Sequence, residues 1–274
     1  MTSDDTLSAE RIREAMAPAS RGLLRALTVL DTTDSTNAVL LRLEPGRRHA
    51  HAVLAESQTR GRGRRQRAWH SPPGGNIYLS LGWRFSAATA HLSTLPLAVA
   101  VLLCRALARA GLRDHGIKWP NDILVGGSKL AGILVETQGA PGAPLLAVIG
   151  VGLNVRMPSP PAGMPAAVIG RPWTDLASQL PPERRAISRN ELGALLLDEL
   201  LPGLERYAAD GFAPFRQDWN QRDLLAGRRV GIEGNGMAHS GIALGIDDSG
   251  GLSVDLDEFG LQVLHAAEVS ILDA

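Results

Sequence analysis

The fold is indicated most clearly by two neighbouring segments, Lys118-Trp119-Pro120-Asn121-Asp122 and Lys129-Leu130-Ala131-Gly132-Ile133-Leu134-Val135-Glu136. Short apolar runs at Ile123–Val125 and Leu130–Glu136 are typical of β-strands. They are joined by Gly126-Gly127-Ser128, a glycine-rich turn suited to a tight reversal of the chain. The sequence therefore predicts a β-hairpin at the centre of this region.

The lysine that opens the second strand is a candidate ligand for an anion. Strict alternation along a strand predicts that the side chain of Lys129 shares a face with Ala131 and Ile133. Gly132 lies between these two residues, and a glycine inside a strand often marks the close approach of a ligand or backbone. A solvated charge at the strand end is the alternative for Lys129.

An arginine-rich and glycine-rich segment, Arg60–Arg67, lies upstream of the hairpin and holds five arginines. Guanidinium groups offer a fixed fork of donors to phosphate or carboxylate, and glycines let backbone N–H groups approach an anion. The order of a Walker A loop is absent, and so are the interleaved aromatic residues of a single-strand nucleic-acid platform. The segment therefore predicts a flexible anion clamp, with a solvated basic loop as the alternative.

Polar residues form a third group. Asp34-Ser35-Thr36-Asn37 and Gln58 supply donors and acceptors suited to a neutral polar ligand such as a ureido ring, although each is also an ordinary cap or loop residue. The glycines of Gly150–Val155 allow close backbone approach. Lys118 and Asp122 flank the first hairpin strand, where an ion pair is the alternative to a ligand-binding role.

The rest of the chain up to residue 220 alternates between strand and helix patterns. Strands are expected at Ala52–Ala55, Asn76–Trp83 and Leu145–Val155. Helices are expected over Ala38–Leu43, over Leu92–Leu112, and after the S-x-x-E capping box Ser188–Glu191. The proline-rich stretch Met157–Pro172 is expected to be a loop.

Both ends of the chain differ from this pattern. Residues 1–27 resemble one short helical extension, too short for a DNA-binding domain with a core of its own. After Trp219, four short β-type runs with tight turns predict a small β-barrel, at Arg228–Glu233, Ser240–Asp247, Gly251–Asp257 and Leu261–Val269. We therefore divide the chain into residues 1–27, a main domain at 28–220 and a small domain at 221–274.

Composition narrows the class of protein. Lys and Arg together number 28, as do Asp and Glu, so the whole chain is not a polycation built for nucleic acid. The single cysteine, Cys104, lies in a small-apolar helical run and is interpreted as buried packing in a reducing compartment. With neither a signal peptide nor an apolar run of bilayer length, we expect a cytoplasmic protein without membrane contact.

Taken together, five motifs resemble those of biotin protein ligases in order and approximate spacing. They are Ser35-Thr36-Asn37, Gly61–Trp69 with Ser71-Pro72, Lys118–Asp122, Lys129–Glu136 and Gly150–Asn154. The resemblance is strong from Thr33 to Asn154 and continues weakly over Leu225–Val269. It implies an α/β (α+β) fold: a central mixed β-sheet flanked by helices, similar to class II aminoacyl-tRNA synthetases, plus a C-terminal SH3-like barrel.

The resemblance also implies roles for individual residues. The expected biotin-binding residues are Ser35, Thr36, Asn37, Gln58, Arg62, Gly63, Arg64 and Lys129. The expected nucleotide and phosphate ligands are Arg62, Lys118, Asn121, Asp122 and Lys129. Lys129, Arg62 and Arg64 are the expected catalytic residues. Mg²⁺ is an expected cofactor. The residues that bind it are unknown, and Asp122 is a candidate ligand.

The function implied by this resemblance is activation of biotin with ATP as biotinyl-5'-AMP, followed by transfer to a lysine of a biotin carboxyl carrier domain. A lipoate or octanoate ligase or transferase is the nearest alternative, and a nucleic-acid-binding module is a non-enzymatic one. The arginine-rich loop and the polar residues Ser35, Thr36 and Gln58 favour biotin over an aliphatic acyl chain. The short N-terminus favours a monofunctional ligase without DNA binding, and homodimer formation is left open.

Overall fold

The computed structural model describes residues 5–86, 92–139, 143–158, 172–234 and 237–272. Its twelve described strands form two sheets, one of seven strands and one of five. The large sheet has the order β1-β2-β3-β7-β6-β5-β4. Its strands are β1 (Ala26–Thr33), β2 (His51–Gln58), β3 (Ile77–Phe85), β4 (His115–Lys118), β5 (Asp122–Val125), β6 (Ser128–Gln138) and β7 (Leu145–Leu153).

The large sheet is mixed, as predicted. Strands β1 and β2 run parallel, whereas β2–β3, β3–β7, β6–β7, β5–β6 and β4–β5 are antiparallel pairs. The predicted hairpin is present as β5 and β6. Strands β1 and β4 were not predicted: β1 is only half-buried along most of its length, and β4 has just four residues.

Helices cover the sheet and build the main core. Their bounds are α1 (Ala9–Ala15), α2 (Pro18–Leu23), α3 (Thr36–Arg42), α4 (Leu95–Arg109), α5 (Leu176–Gln179), α6 (Arg189–Asp210) and α7 (Arg216–Arg222). Helix α4 is almost wholly apolar and packs against α6. The predicted capping box begins α6, where the Ser188 hydroxyl accepts a hydrogen bond from the Glu191 N–H at 3.1 Å.

The N-terminal segment is part of the main core. The prediction of one short helix is wrong in detail, because Pro18 lacks an N–H and begins a second helix. Both α1 and α2 pack against α6, and the Ala17 N–H donates to Asp198 Oδ1 at 3.0 Å. Arg189, fully buried, binds Glu56 Oε2 at 2.6 Å and the backbone oxygen of Asp5 at 2.6 Å.

The second sheet has five antiparallel strands, in the order β11-β10-β9-β8-β12. Four strands were expected; the run Leu261–Val269 is divided into two because the chain bends between them. The bounds are β8 (Arg229–Gly234), β9 (Met237–Ile246), β10 (Leu252–Leu256), β11 (Gly260–Leu264) and β12 (Glu268–Ile271). The indole of Trp119 donates to the Gly250 carbonyl at 3.0 Å and joins the two parts of the chain. The domain limits 27 and 220 stay a prediction.

Three further expectations concern Cys104, membrane-spanning helices and the proline-rich loop. Cys104 is buried in α4, as predicted, and burial raises the pKa of its thiol to about 12, which leaves it neutral. No helix in the described residues is both long and apolar enough to cross a membrane. Most of the predicted loop Met157–Pro172 lies outside the described residues.

Candidate active site

All eleven residues expected at the site line one cavity of about 860 Å³. The cavity lies between the N-terminus of α3, the β4–β5 turn, the first half of β6, and the loop 59–69. The expected residues found there are Ser35, Thr36, Asn37, Gln58, Arg62, Gly63, Arg64, Lys118, Asn121, Asp122 and Lys129. The structure therefore brings together motifs that are up to 94 positions apart in sequence, at Ser35 and Lys129.

One end of the cavity is polar and uncharged. Gln58 Oε1 accepts hydrogen bonds from the Thr36 backbone N–H at 3.0 Å and from its hydroxyl at 3.2 Å. The buried Ser80 hydroxyl lies 2.7 Å from Thr36 Oγ1 and 2.5 Å from Asn37 Oδ1. The first turn of α3 is thus held by side chains of β2 and β3, and its polar groups are fixed before any ligand arrives.

Glu136 of β6 connects this polar end to the arginine-rich loop. Its Oε2 accepts a hydrogen bond from Asn37 Nδ2 at 2.7 Å. Its Oε1 lies 3.5 Å from Arg62 Nη2 in an ion pair whose side chains are 37% and 29% exposed. Arg62 is therefore drawn toward the cavity by a carboxylate that the sequence analysis gave no role.

The position of Lys129 differs from the expected one. Ala131 pairs with Ile123 but Lys129 pairs with Leu124, so the register shifts by one residue between them. Such a bulge breaks strict alternation, and the Lys129 side chain lies beside Gly132, where an added Cβ would be 3.1 Å from Lys129 Cε. The prediction that it shares a face with Ala131 and Ile133 is wrong; those residues are buried in the core.

Lys129 is held by a carboxylate and an aromatic ring. Its Nζ lies 2.7 Å from Asp122 Oδ1 and 5.1 Å from the centre of the Trp69 ring. The suggested ion pair between Lys118 and Asp122 is therefore replaced by one between Lys129 and Asp122. Lys118 lines the same cavity, and its side chain is buried.

Trp69 forms a wall of the cavity that the sequence analysis did not assign to the site. Its ring lies against two glycines of adjacent strands: an added Cβ at Gly152 would be 2.4 Å from Trp69 Cε2, and one at Gly132 would be 2.9 Å from Trp69 Cζ3. The glycines were expected to admit a ligand or backbone. They admit an indole, and the paired glycines in β6 and β7 were the signal that could have identified this contact.

The arginine-rich loop is tied down by backbone and side-chain bonds. Gly63 N–H donates to the Arg67 carbonyl at 2.7 Å, and Trp69 N–H donates to the Gly61 carbonyl at 2.8 Å. Arg65 and its neighbour Gln66 have φ of 54° and 61°, a left-handed conformation that side chains other than glycine adopt at a cost. The loop therefore stores backbone strain at the cavity entrance.

Two arginines of this loop bind the second sheet, and a third, Arg64, binds the turn between β4 and β5. Glu268 of β12 forms ion pairs with Arg65, at 3.6 Å, and with Arg67. Arg64 instead donates to the neutral amide oxygen of Asn121 at 3.2 Å. Burial lowers the pKa of Arg64, with a further contribution from Arg65. An anion in the cavity would offset the desolvation of this cation.

The side chains at the cavity offer few ligands for a metal ion. The described part of the chain contains no group of three His, Cys, Asp or Glu side chains that could hold a metal ion. Asp122 and Asn121 offer oxygens at the cavity, and Mg²⁺ commonly binds through one or two carboxylates plus substrate phosphates. The donors present therefore fit Mg²⁺ only as a companion of a bound nucleotide.

Known proteins resemble the chain over a large part of its length. A profile of the Biotin/lipoate A/B protein ligase family matches residues 29–154. The biotin--[acetyl-CoA-carboxylase] ligase of Paracoccus denitrificans is 39% identical over 250 residues, which cover 88% of this chain and 98% of that protein. The bifunctional ligase/repressor BirA of Escherichia coli is 35% identical over 232 residues, 85% of this chain and 70% of that protein.

Solved structures show the same architecture. The biotin protein ligase from Aquifex aeolicus in complex with biotin and ATP has a TM-score of 0.72 at 24% identity, covering 92% of this chain and 100% of that one. The chain belongs to the biotin/lipoate A/B protein ligase family. Within that family its relatives place it among the biotin ligase enzymes rather than the lipoate or octanoate alternative.

Proposed function

We propose that this chain activates biotin with ATP as biotinyl-5'-AMP and transfers the biotinyl group to a lysine of a biotin carboxyl carrier domain. The observation that carries the proposal is the division of one cavity into a neutral polar end and a cationic end. Ser35, Thr36 and Asn37 line the first, whereas Arg64, Lys118 and Lys129 line the second. A ligand with an uncharged polar ring and a carboxylate that must meet a phosphate fits both ends.

In the first half-reaction the biotin carboxylate attacks the α-phosphorus of ATP. A new C–O–P linkage forms, the bond to the β-phosphate oxygen breaks, and pyrophosphate leaves. Negative charge on the transferring group is stabilised by cations already in place, so Lys129 and Arg64 act through position and charge, and no general base is required. Mg²⁺, held by Asp122 and the phosphates, would neutralise further phosphate charge.

The ion pair between Lys129 and Asp122 positions an ammonium group in the cavity. The carboxylate oxygen 2.7 Å from the Lys129 ammonium group holds this group in place. An entering phosphate would compete with Asp122 for the same ammonium group. Lys129 then acts as a cation toward the anionic ligand and not as a nucleophile, which suits an enzyme whose acyl acceptor is a lysine of another protein.

In the second half-reaction the amine of a carrier lysine attacks the acyl carbonyl. An amide bond forms, the bond to the AMP oxygen breaks, and AMP leaves with the electron pair while the amine loses a proton to solvent. The mixed anhydride is prone to hydrolysis, so exclusion of water by Trp69 and the loop 59–69 would protect it.

We propose that DNA is not a partner, since α1 and α2 pack against α6.

The test is ATP–pyrophosphate exchange with biotin, lipoate and octanoate in parallel. Exchange should require biotin and Mg²⁺ and be far weaker with the two other acids. A second assay should show incorporation of biotin into a purified carrier domain but not into the same domain with its acceptor lysine changed to arginine. Equal exchange with lipoate would overturn the assignment of biotin, and exchange without transfer would overturn the assignment of the acceptor.

A further inference from the structure

We infer that Glu136 is a positioning residue that links the polar end of the cavity to Arg62, an inference that rests on the proposed function. Its two carboxylate oxygens contact different parts of the site. Oε2 accepts from the Asn37 amide at 2.7 Å, and Oε1 lies 3.5 Å from the Arg62 guanidinium. One side chain therefore contacts both Asn37, expected to bind the neutral ring of biotin, and Arg62, expected to bind biotin and phosphate.

The first consequence concerns the orientation of the Asn37 amide. An ionised carboxylate can only accept hydrogen bonds, so the NH₂ group of Asn37 must face Glu136 and its oxygen must face the Ser80 hydroxyl. Gly150 confines the amide from the other side, since an added Cβ there would be 2.6 Å from Asn37 Oδ1. Glu136 thus determines which polar atoms α3 presents to the cavity.

The second consequence concerns the charge of Arg62. The Glu136 carboxylate compensates the charge of this guanidinium and keeps it beside the cavity. The pair is partly exposed, so its strength is modest and an entering carboxylate can compete with it. Glu136 therefore acts on biotin affinity through its two neighbours, without taking part in bond making.

The experiment compares Glu136→Gln and Glu136→Ala with wild type in biotin-dependent pyrophosphate exchange. Glutamine removes the charge opposite Arg62 but can still accept from Asn37, whereas alanine removes both contacts. We expect the KM for biotin to rise about three- to tenfold for Glu136→Gln and about tenfold or more for Glu136→Ala. The kcat should stay within about threefold of wild type, since neither contact is made only in the transition state.

The matched control is Glu199→Gln, which removes one of the two carboxylate partners of Arg109, at 2.9 Å, on the helical side of the molecule. Its KM should equal that of wild type. A merely structural role for Glu136 would lower the active fraction, and hence kcat, without moving KM. In an Arg62→Ala background, Glu136→Gln should add little to KM, because the partner charge is already gone.

The possible outcomes distinguish a failure of the positioning role of Glu136 from a failure of the proposed function. An unchanged biotin KM in both Glu136 variants, or full additivity with Arg62→Ala, would refute the positioning role while the proposed function stands. Wild-type protein that shows no biotin-dependent exchange would refute the proposed function itself.

A second inference comes independently from the lysine count. The 274 residues contain only two lysines, Lys118 and Lys129; the other 26 basic residues of the Lys and Arg total are arginine. Both lysines line the cavity, Lys118 with 6% relative exposure and Lys129 bound to Asp122. A guanidinium stays protonated at neutral pH and is a poor nucleophile, whereas a free amine attacks an acyl-adenylate and expels AMP.

We infer that this chain does not accept biotin from its own intermediate on any lysine side chain. Wild-type protein incubated with biotin, ATP and Mg²⁺ without a carrier should show no biotinyl-lysine on peptide mapping. Arg60→Lys, on the exposed stretch beside the cavity, should acquire one biotin, and Arg109→Lys on α4 should acquire less. Biotin on Lys118 or Lys129 would overturn the inference, and an unlabelled Arg60→Lys that still forms biotinyl-adenylate would refute the placement of the lysines as its cause.

Discussion

Gly152→Ala tests the packing of the Trp69 wall. The substitution adds a single methyl group on β7 at a position where φ is unremarkable, so backbone conformation is not the issue. The new Cβ would lie 2.4 Å from Trp69 Cε2 and 2.6 Å from Cζ2 and Nε1. Since ordinary contacts of this kind begin near 3.4 Å, the indole must move by about 1 Å.

The expected magnitudes follow from that displacement. Overpacking of this size costs about 1–3 kcal/mol of folding free energy, or a fall of about 2–12 °C in Tm for a chain of this length. Activity should suffer more than folding, because the ring also contacts Lys129. A displacement of about 1 Å near reacting groups can cost about 10²-fold, so kcat/KM for biotin should fall by roughly that factor.

The assay pairs pyrophosphate exchange with thermal unfolding of the same preparation. Gly22→Ala is the matched control, since it adds the same methyl group in α2 with no heavy atom within 4 Å. It should keep full activity and gain up to about 1 kcal/mol of stability. If Gly152→Ala matches Gly22→Ala in both Tm and kcat/KM, the indole is not packed against Gly152 as described.

Four further experiments test the roles of Lys129, Arg64 and His51 and the absence of DNA binding. Lys129→Ala should fold and lose about 10²–10³-fold in adenylation, as for a lost oxyanion donor; full activity in a folded variant would exclude a role in phosphoryl transfer. Arg64→Ala should release biotinyl-adenylate faster than wild type in a trapping assay, and unchanged release would make Arg64 a surface charge. His51 should make folding weaken in acid. Burial lowers its pKa below 6.5, so its contribution is complete above pH 6.5 and is lost as pH falls through the folded-state value. His51→Gln should flatten this slope in denaturant titrations between pH 7.5 and 5; an equal slope would contradict it. DNA-binding assays at physiological salt should show no sequence-specific complex, with or without biotin and ATP; a nanomolar complex would contradict the proposal.

Sequence reasoning predicted the hairpin, which is present, and named eleven site residues that all line one cavity, although their roles stay a prediction. It failed where three-dimensional pairing decides the outcome. The side of the sheet on which Lys129 lies depends on a one-residue register shift against β5, which no periodicity within β6 reveals. Strand β4 is only four residues long and contains Gly116, so its strand signal is weak.

The site residues that sequence reasoning did not predict were missed for a common physical reason. Ser80 and Glu136 occupy ordinary strand positions, and their importance comes from which side chains the neighbouring strands bring opposite them. Glu268 lies 201 positions after Arg67 in sequence, so an ion pair between them could not be predicted from local pattern. Trp69 lay within a recognised motif, but its contacts required knowing that Gly132 and Gly152 are paired across β6 and β7.

The ion pairs of Arg65 and Arg67 with Glu268 connect the second sheet to the loop that lines the cavity. Thermodynamic linkage requires that a ligand which pulls Arg65 or Arg67 from Glu268 also loosens the attachment of β12. A substitution in β12, outside the family-matched residues 29–154, would then change ligand affinity at the cavity. Binding at the cavity would in turn be detectable as altered hydrogen exchange in β12, so the C-terminal sheet can report on occupancy.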